Sequence, residues 1–578
     1  MRNSEVAKTL SAIASFLEME GVAFKPRAYD RAAEAISNLE EDLSELYKRG
    51  GLKALEDVPG VGVSIAEKIE ELLKTGRLKY YEDLKKKHPV NISELSNIEG
   101  LGPKTIQLLY RELGVRDLKG LEKALKNKQI SKLSGFGAKS EEKIIKGIEA
   151  YRRHSGRFPL GEAADLVLSI QKSMSNVPGV SKVDVAGSFR RQKETVGDLD
   201  FLVISANPKV VMDRFVSQPD VVEIVAQGNT KSSVRLSNGM DVDLRVVPAE
   251  SYGAALAYFT GSKAHNVAMR EMAQSRGWKL NEYGLFRKGR GKDEWINIAS
   301  RTEEDIYNKL GLEYVPPEMR EDTGELELAR KHKLPKLIGY RDVVGDLQVQ
   351  SNWTDGANSI EEMALAAEKL GHKYIAITDH TKRLAMAHGL DEKGLAKQGL
   401  EIDRINKKLK GRITILKGTE CDILKDGTLD ISDEALAKLD IVGVSIHSFF
   451  DMPIKEQTAR LERAMRNPNV DIVFHPTGRL INKREPINID IDRVIKVAKE
   501  TNTVLEIDGI PDRLDLKDEY IRKAAEAGVK FAIDSDAHAV AHLQFVGYGV
   551  AQARRGWAKR SDVVNAWPLE KMIKMLKS

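Results

Sequence analysis

Short apolar runs alternate with segments of helical periodicity throughout the second half of the chain, and this alternation limits the fold more than any other feature. Six of the runs are rich in β-branched residues and lie at 374–378, 413–417, 441–445, 472–474, 504–507 and 530–533. Strands that alternate with helices pair in parallel and carry the helices on the outside. We therefore predict a (β/α) barrel, a fold that places its chemistry at the C-terminal ends of the strands.

Polar residues, many of them histidines, stand where these predicted strands end. The segments are ThrAspHis (378–380), ThrGluCysAsp (419–422), SerIleHisSer (445–448), PheHisProThr (474–477) and AspSerAspAlaHis (534–538). A single histidine in such a place is usually structural, whereas five such motifs at successive strand ends indicate a metal cluster. Histidine combined with carboxylate suits Zn²⁺ or Mn²⁺.

The N-terminal part of the chain repeats one short unit three times. Each unit is an apolar residue, a glycine turn and a helix, and the turns contain Gly60 and Gly62, Gly100 and Gly102, and Gly135 and Gly137. Glycine lets the backbone approach a phosphate, and the amides of the following helix point at the anion. One such turn would favour an ordinary helix connection. Three of them favour helix-hairpin-helix binding of the DNA backbone, without readout of base identity.

A mixed α/β block between these regions carries the strongest motif of the chain. GlySerPheArgArg (187–191) precedes GlyAspLeuAsp (197–200), and AspValAspLeuArg follows at 241–245. Asp198 and Asp200 are two residues apart on a predicted strand, so both carboxylates project from one face. Asp243 on a neighbouring strand supplies a third. Such a set can hold two Mg²⁺ (or Mn²⁺) ions about 4 Å apart for nucleotidyl transfer.

Residues beside these aspartates are candidates for binding the nucleotide phosphates: Gly187, Ser188, Arg191 and Gly197. The fixed fork of an arginine suits a phosphate better than a lysine does. One metal would lower the pKa of a primer 3′-hydroxyl, and the other would hold the triphosphate and neutralise the leaving pyrophosphate.

The segment TyrPheThrGlySerLysAlaHisAsnValAlaMetArg (258–270) and the segment AsnGluTyrGlyLeu (281–285) narrow the class of enzyme. Together with the aspartate motifs they resemble the family X DNA polymerases over roughly the first 315 residues. The resemblance implies a nucleotide pocket formed by Tyr258, Phe259, Gly261 and Asn266, with Arg270 on the DNA. A tRNA-modifying or antibiotic-modifying nucleotidyltransferase would share Gly-Ser and Asp-x-Asp but not this segment.

The segments PheLysProArgAlaTyrAspArgAlaAla (24–33) and ProGlyValGlyValSerIleAlaGluLysIle (59–69) resemble the lyase domain of the polymerase-beta group. The resemblance implies a Schiff base on Lys68, with Lys25 and Tyr29 holding a 5′-phosphate. That chemistry requires a lysine whose pKa is lowered by its surroundings. Ser64 stands where close relatives carry another lysine, so Lys68 as an ordinary exposed helix residue is the alternative.

The C-terminal motifs resemble the polymerase and histidinol phosphatase (PHP) domain, a distorted barrel that holds up to three metals. Family X enzymes of bacteria and archaea often carry it behind a linker similar to TyrValProProGluMetArgGlu (314–321). The matching ligand positions are Asp355, His380, Glu420, His447, His475, Asp536 and His538. Active relatives remove 3′ nucleotides or cut at abasic sites. A domain that only stabilises or regulates the polymerase is the alternative.

The first PHP motif departs from the family pattern. The family usually begins Asp-Leu-His-x-His, whereas this chain has AspLeuGlnValGln (346–350). Gln348 and Gln350 therefore replace two histidines, and glutamine is a poor substitute for imidazole on Zn²⁺. We expect one metal position to be weakened or empty while the other ligands still hold two ions.

These patterns divide the 578 residues into six segments. The prediction is a lyase-like helical domain at 1–85, a second helical domain at 86–155, a nucleotidyltransferase palm with a mixed sheet at 156–250, a nucleotide-selecting subdomain at 251–315, a linker at 316–337 and the barrel at 338–578.

The single Cys421 excludes an intramolecular disulfide and favours a reducing cytoplasm. No run reaches the ~20 apolar residues of a membrane span, and the net charge of +5 is compatible with DNA without requiring it.

We predict a template-dependent DNA polymerase that fills gaps in base excision repair. Its expected ligands are dNTPs and gapped or nicked duplex with a 5′-phosphate, it is expected to act as a monomer, and the barrel adds a 3′–5′ exonuclease or abasic-site endonuclease. One alternative is a phosphoesterase or nuclease whose polymerase half only positions DNA. Another is a non-catalytic scaffold, which the complete set of Asp198, Asp200 and Asp243 disfavours.

Overall fold

The computed structural model describes residues 3–577 apart from 38, 40, 41, 97, 99, 134, 155, 292 and 293. Helices make up the N-terminal region: α1 (Asn3–Met19), α2 (Lys25–Ser37), α3 (Leu43–Glu56), α4 (Val63–Thr75), α5 (Lys79–Lys87), α6 (Ile92–Leu95), α7 (Pro103–Leu113), α8 (Leu118–Lys126) and α9 (Ala138–His154). One continuous apolar core includes Leu10, Ile69 and Ile144. The two predicted helical segments therefore share a core across position 85.

The predicted glycine turns have one common backbone form. Gly60, Gly100 and Gly135 have φ values of +79°, +91° and +86°. Residues other than glycine rarely adopt this backbone conformation. Gly62 and Gly102 are the N-caps of α4 and α7, so the amides of each helix start directly after the turn. The structure thus confirms that each turn leads into a helix.

A mixed five-stranded sheet, in the order β2-β4-β7-β6-β5, follows the helical region. The elements of this part are β1 (Phe158–Pro159), α10 (Leu160–Ser175), β2 (Val180–Val185), α11 (Gly187–Arg190), β3 (Thr195–Val196), β4 (Asp198–Ser205), α12 (Pro208–Val216), β5 (Val221–Gln227), β6 (Lys231–Leu236) and β7 (Asp241–Val246). Strands β4 and β7 pair in parallel, whereas the other pairs in the sheet are antiparallel. The buried residues of β4 and β7 form the core with α10 and α12.

The next part contains α13 (Tyr252–Thr260), α14 (Lys263–Gln274), β8 (Trp278–Asn281), β9 (Gly284–Lys288), β10 (Trp295–Ala299) and α15 (Glu303–Lys309). The sequence has helical periodicity over 254–276, and the structure forms two helices in this range instead of a continuous one. The helix breaks at Gly261, whose φ is +68°, and Ser262 then caps α14. Helical periodicity continues across the break, which is why the pattern did not reveal it.

The segment predicted as a linker is folded onto this part of the protein. It contains α16 (Glu325–Arg330), and Met319 and Leu326 join the core that includes Ile306. Arg320 is fully buried and donates to Glu303 at 2.6 Å. This charged segment therefore contributes a buried ion pair to the core and is more than a connection between two domains.

The C-terminal region is the predicted barrel, with parallel strands in the order β11 to β17. Its elements are β11 (Gly345–Val349), α17 (Ile360–Lys369), β12 (Tyr374–Ile377), α18 (Glu392–Leu409), β13 (Thr414–Asp422), α19 (Asp433–Leu436), β14 (Ile441–Ser445), α20 (Ile454–Met465), β15 (Ile472–Val473), α21 (Ile491–Thr501), β16 (Val504–Asp508), α22 (Asp518–Ala527), β17 (Phe531–Asp534), α23 (Val546–Arg555) and α24 (Leu569–Leu576). A parallel bridge between Val349 and Ala537 joins the first strand to the segment after the last.

Side chains of the barrel contact the palm directly. Arg479 forms an ion pair with Glu194 at 2.8 Å, and Asn482 donates to the carbonyl of Arg157 at 3.1 Å. The two halves therefore meet beside the aspartate motif. Among the described residues, no helix has the length and apolar composition needed to cross a membrane.

Candidate active sites

Two parallel strands bring the three predicted aspartates together. Asp200 on β4 is in register with Asp243 on β7, and Asp198 lies two residues before Asp200 on the same strand. Asp198 is exposed, and the other two are half-buried. A cleft of about 880 Å³ opens beside them. The predicted residues that line this cleft are Gly187, Ser188, Arg191, Asp198, Asp200, Tyr258, Phe259, Gly261, Asn266 and Arg270.

Two predicted residues lie next to the cleft instead of lining it. Gly197 directly precedes β4. Asp243 accepts a hydrogen bond from Ser233 at 2.6 Å and pairs with Lys231 at 3.2 Å. Among the described residues, the groups of ligand atoms that converge within 4.8 Å of one another lie in the barrel and not here.

The chemistry around Asp200 fits a divalent cation. Burial, together with the negative charges of Asp198 and Asp243, raises the pKa of Asp200 to about 7. A Cβ on Gly187 would lie 2.8 Å from Oδ2 of Asp200, so the glycine leaves room beside the carboxylate. Carboxylate oxygens are the donors that Mg²⁺ prefers, and a cation would relieve the repulsion among them.

The phosphate-binding candidate Arg191 is held on two sides. Its Nη1 donates to the carbonyl of Thr260 at 2.5 Å, and its Nε donates to Glu321 at 3.1 Å. Ser188 precedes it on α11 and lines the same cleft. A partly buried guanidinium that lines the cleft can bind an anion with little further ordering.

The predicted nucleotide pocket is formed where α13 ends. The rings of Tyr258 and Phe259 meet edge to face at 5.1 Å, and Arg245 lies over Phe259 at 4.5 Å. Nδ2 of Asn266 donates to the carbonyl of Tyr258 at 2.6 Å. Asn266 therefore positions the aromatic pair in this structure.

The predicted lyase residues lie together around Tyr80. Tyr29 is buried and stacks on Tyr80 at 6.5 Å, and Nζ of Lys68 lies 5.2 Å from the same ring. Lys68 donates to the hydroxyl of Ser64 at 2.9 Å. Burial lowers the pKa of Lys68, and the positive charge of Lys25 adds to this effect against the opposing charge of Glu67. The direction of the shift is the one that an amine nucleophile requires.

Two groups of ligand atoms converge at the C-terminal ends of the barrel strands. Asp355, His380 and His538 form the first, and His380, Glu420 and His447 form the second. Nε2 of His475 lies 2.9 Å from Oε1 of Glu420, which connects it to the second group. Oδ1 of Asp536 lies 3.8 Å from Nδ1 of His538. The seven predicted ligands therefore form one continuous cluster.

Orphaned polar atoms in this cluster fit a metal-binding role. Nδ1 of His380, Nδ1 of His475 and Oδ1 of Asp536 are buried and have no hydrogen-bond partner in the part of the chain that the structure describes. Buried polar groups normally have partners, so these atoms are suited to coordinate a cation. Histidine nitrogens and carboxylates are suitable ligands for Zn²⁺ or Mn²⁺.

The two glutamines of the first PHP motif are both buried, and they differ in their hydrogen bonding. Nε2 of Gln350 donates to Oε2 of Glu420 at 3.0 Å. Gln348 is fully buried, and neither of its side-chain polar atoms has a partner among the described residues. Gln350 thus engages a ligand of the second group by hydrogen bonding.

Comparison with known proteins supports each part of this architecture in chain order. The chain matches the families described as helix-hairpin-helix domain at 1–78, SAM-like helix-hairpin-helix tandem at 92–150, DNA polymerase beta palm at 157–234, DNA polymerase beta thumb at 255–321 and PHP domain at 346–508. It is 39% identical over 580 residues to a Bacillus subtilis (strain 168) protein named DNA polymerase/3′-5′ exonuclease PolX, and the alignment covers all of both chains. The chain belongs to the bacterial family X DNA polymerases.

Two other relatives each match only part of this PolX-family chain. DNA polymerase lambda of Rattus norvegicus is 26% identical over 346 residues, which cover 55% of this chain and 56% of the relative. A protein named probable phosphatase from Thermoanaerobacter sp. (strain X514) is 34% identical over 191 residues, which cover 31% of this chain and 73% of the relative. The predicted DNA polymerase with a PHP domain is confirmed, and DNA and divalent metals are its general ligands.

Sequence reasoning missed several charged residues of this PolX-family enzyme. Glu506 and Asp508 at the end of β16 are fully buried, and each has one side-chain oxygen that makes no hydrogen bond to the described residues. Arg513 lies between Asp508 at 3.5 Å and Asp536 at 3.8 Å. The signal was present, because both acids stand at the end of a predicted strand as the named ligands do.

Arg190 is a further residue that the sequence did not single out. It donates to both oxygens of Glu303, at 2.9 and 2.7 Å, and to the hydroxyl of Thr260. Burial alone would raise the pKa of Glu303, but the bonds from Arg190 and the charge of Arg320 lower it to about 2. This buried ion pair joins the palm to the thumb, and only the tertiary contact reveals it.

Proposed function

We propose that this enzyme adds dNTPs to a primer 3′-hydroxyl in gapped DNA during base excision repair. The observation that supports the proposal is the parallel register of β4 and β7, which pairs Asp200 with Asp243, while Asp198 and Asp200 line the cleft. The glycine turns of the N-terminal region suit the backbone of a gapped or nicked duplex.

Each part of the cleft has a role in this proposal. The three aspartates would hold two Mg²⁺ or Mn²⁺ ions, which when bound lower the pKa of the 3′-hydroxyl and neutralise the triphosphate. Ser188 and Arg191 bind the phosphates, and Tyr258 packs beside the sugar, where its bulk favours dNTP over rNTP. Arg270 contacts the DNA. Extension of a primer across a one-nucleotide gap, with and without a 5′-phosphate, tests this assignment.

The raised pKa of Asp200 predicts a pH-dependent effect on stability. A free aspartate loses its proton near pH 4, whereas folded Asp200 keeps it up to about pH 7. The folded state without metal therefore loses stability as the pH rises between these values. We expect Asp200→Asn to raise the melting temperature in chelator at about pH 8 by about 3 °C, the effect of roughly 1 kcal/mol in a domain of this size.

Calorimetry of both proteins in EDTA measures this difference. At about pH 4 both proteins carry an uncharged side chain at position 200, so the melting temperatures should coincide there. An equal difference at both pH values would contradict a titrating Asp200.

We propose a second activity, the removal of 3′ nucleotides or cleavage at abasic sites, for the barrel. The two convergent ligand groups around His380 support it. Zn²⁺ or Mn²⁺ suits their nitrogen and carboxylate donors, and the PolX relative of Bacillus subtilis carries an exonuclease in its name. Gln350 and Gln348 are expected to weaken one metal position.

Lys68 is proposed to form a Schiff base with an abasic sugar whose 5′-phosphate is bound by Lys25 and Tyr29. We expect Lys68→Ala to reduce borohydride trapping of 5′-deoxyribose phosphate DNA to background, since the substitution removes the amine proposed to form the Schiff base. Lys74→Ala is the matched control, because Lys74 lies on the same helix and pairs with Glu70 instead. Full trapping by Lys68→Ala would assign this residue a structural role.

We further propose that the enzyme acts as a monomer in the cytoplasm. The single Cys421 is buried, as expected for a thiol that stays reduced. Sedimentation at assay concentrations tests the oligomeric state.

A further inference from the structure

The polymerase cleft has one wall that does not come from the polymerase half of the chain. Lys517, Asp518 and Arg555 line the same cleft as Ser188 and Arg191. Asp518 starts α22 and Arg555 ends α23, so all three belong to the barrel region. The PHP barrel therefore contributes directly to the cavity beside the aspartates.

Arg555 is the buried centre of this wall. Only 3% of its side chain is exposed. Its Nη2 donates to Asp518 at 2.6 Å, and its Nη1 lies within hydrogen-bonding distance of the carbonyl of Arg191 at 2.8 Å and of Oε1 of Glu321 at 3.2 Å. A planar guanidinium with partners on several sides fixes the relative positions of those partners.

Glu321 connects Arg555 to the phosphate-binding arginine. Its Oε1 accepts from Nε of Arg191 at 3.1 Å and from Nη1 of Arg555 at 3.2 Å. The Nη1 of Arg191 is bonded to the carbonyl of Thr260. Among the described residues, Nη2 of Arg191 makes no hydrogen bond, and the side chain lines the cleft. Glu321 therefore orients Arg191 so that donor capacity remains for an anion.

The charge balance depends on both arginines. With Arg555 present, the carboxylate of Glu321 is shared between two guanidinium groups. Without Arg555, the carboxylate of Glu321 would compete more strongly with a nucleotide phosphate for Arg191, because the remaining cation paired with Glu321 among the described residues is Lys193, at 3.8 Å.

We propose that the PHP barrel completes the triphosphate-binding site of the polymerase, with Arg555 as a positioning residue that acts through Glu321 on Arg191. The ligand is a nucleoside triphosphate in the cleft, so the inference rests on the proposed polymerase function. The barrel then sets nucleotide affinity whether or not its own metal site is active.

Steady-state kinetics on a one-nucleotide gap test this role. We expect Arg555→Met to raise KM for dNTP about tenfold while kcat stays within about twofold, because binding and not the reacting atoms is affected. Arg555→Lys should give an intermediate KM, since it keeps the charge but not the fork. Titration calorimetry with a non-hydrolysable dNTP on gapped DNA should show the same loss of affinity.

A double variant separates this mechanism from simple structural damage. Adding Glu321→Gln to Arg555→Met removes the uncompensated carboxylate, so KM should return to within about threefold of the wild-type value. Independent damage at the two sites would instead add the two defects. A further rise of KM in the double variant would overturn the proposal.

Arg554→Met is the matched control. Arg554 is the preceding residue on α23 and also joins the barrel to the connecting segment, but it donates to Glu318 at 2.7 Å and to the carbonyl of Ile338. We expect its KM for dNTP to stay near the wild-type value. Equal effects of Arg554→Met and Arg555→Met would overturn the inference, whereas a wild-type enzyme without dNTP incorporation would overturn the proposed function itself.

Discussion

Asp243→Ala should reduce dNTP incorporation on a one-nucleotide gap by at least about 1000-fold, since a metal ligand contributes several kcal/mol to stabilising the transition state. Asp243 is in register with Asp200 on the adjacent parallel strand, so its carboxylate completes the set that Asp198 and Asp200 begin. The measurement is single-turnover primer extension with Mg²⁺ and, separately, with Mn²⁺. Nuclease activity on the same DNA should persist, because its proposed metal ligands lie in the barrel.

Asp241→Ala is the control for that experiment. Asp241 lies on the same strand, but it is exposed and accepts from Arg235 at 2.8 Å. We expect it to change incorporation by no more than a few-fold, as is usual for surface residues. Full incorporation by Asp243→Ala would show that the proposed metal site is wrong.

His447→Ala should abolish 3′-end trimming and leave gap filling close to the wild-type rate. His447 is part of the second ligand group and lies 3.2 Å from Glu420, so its loss removes a nitrogen donor from the cluster. We expect the trimming rate to fall by about 100-fold or more. The metal content per chain should fall with it. Asp198→Ala should show the reverse pattern, with trimming retained and synthesis lost.

Two comparisons make the His447 result specific. His332 is exposed and lies outside the barrel strands, so His332→Ala should retain both activities. Gln348→His combined with Gln350→His should increase the bound metal, because it restores the two family histidines. Trimming that survives His447→Ala would assign the activity to another site and leave the barrel with a structural role.

Most of the fold could be predicted from local sequence patterns. The alternation of apolar runs and helices was enough to predict the barrel, although β11 was missed because Asp346 and Gln348 interrupt its apolar character. The break at Gly261 was missed for a related reason, since the residues on both sides of it keep helical periodicity. At both places the local sequence pattern indicated a different secondary structure from the one that the tertiary fold contains.

The residues of the candidate sites were also predictable where local sequence patterns define them. The motif spacing alone placed Asp198 and Asp200 on one face and identified Asp243 as their partner, because residues two apart on a strand share a face. The strand-end rule also identified His380, Glu420 and His447, which converge in the structure.

By itself, the sequence determined the three local elements of this enzyme: the glycine turns, the aspartate strands and the histidine-bearing strand ends. Each depends on residues that are close in sequence, so periodicity and spacing reveal it. Only the tertiary structure decided that Arg555 of the barrel reaches Glu321 and the backbone of Arg191. Those partners are 234 and 364 residues away along the chain, and no local pattern encodes a contact that packing of separate domains creates.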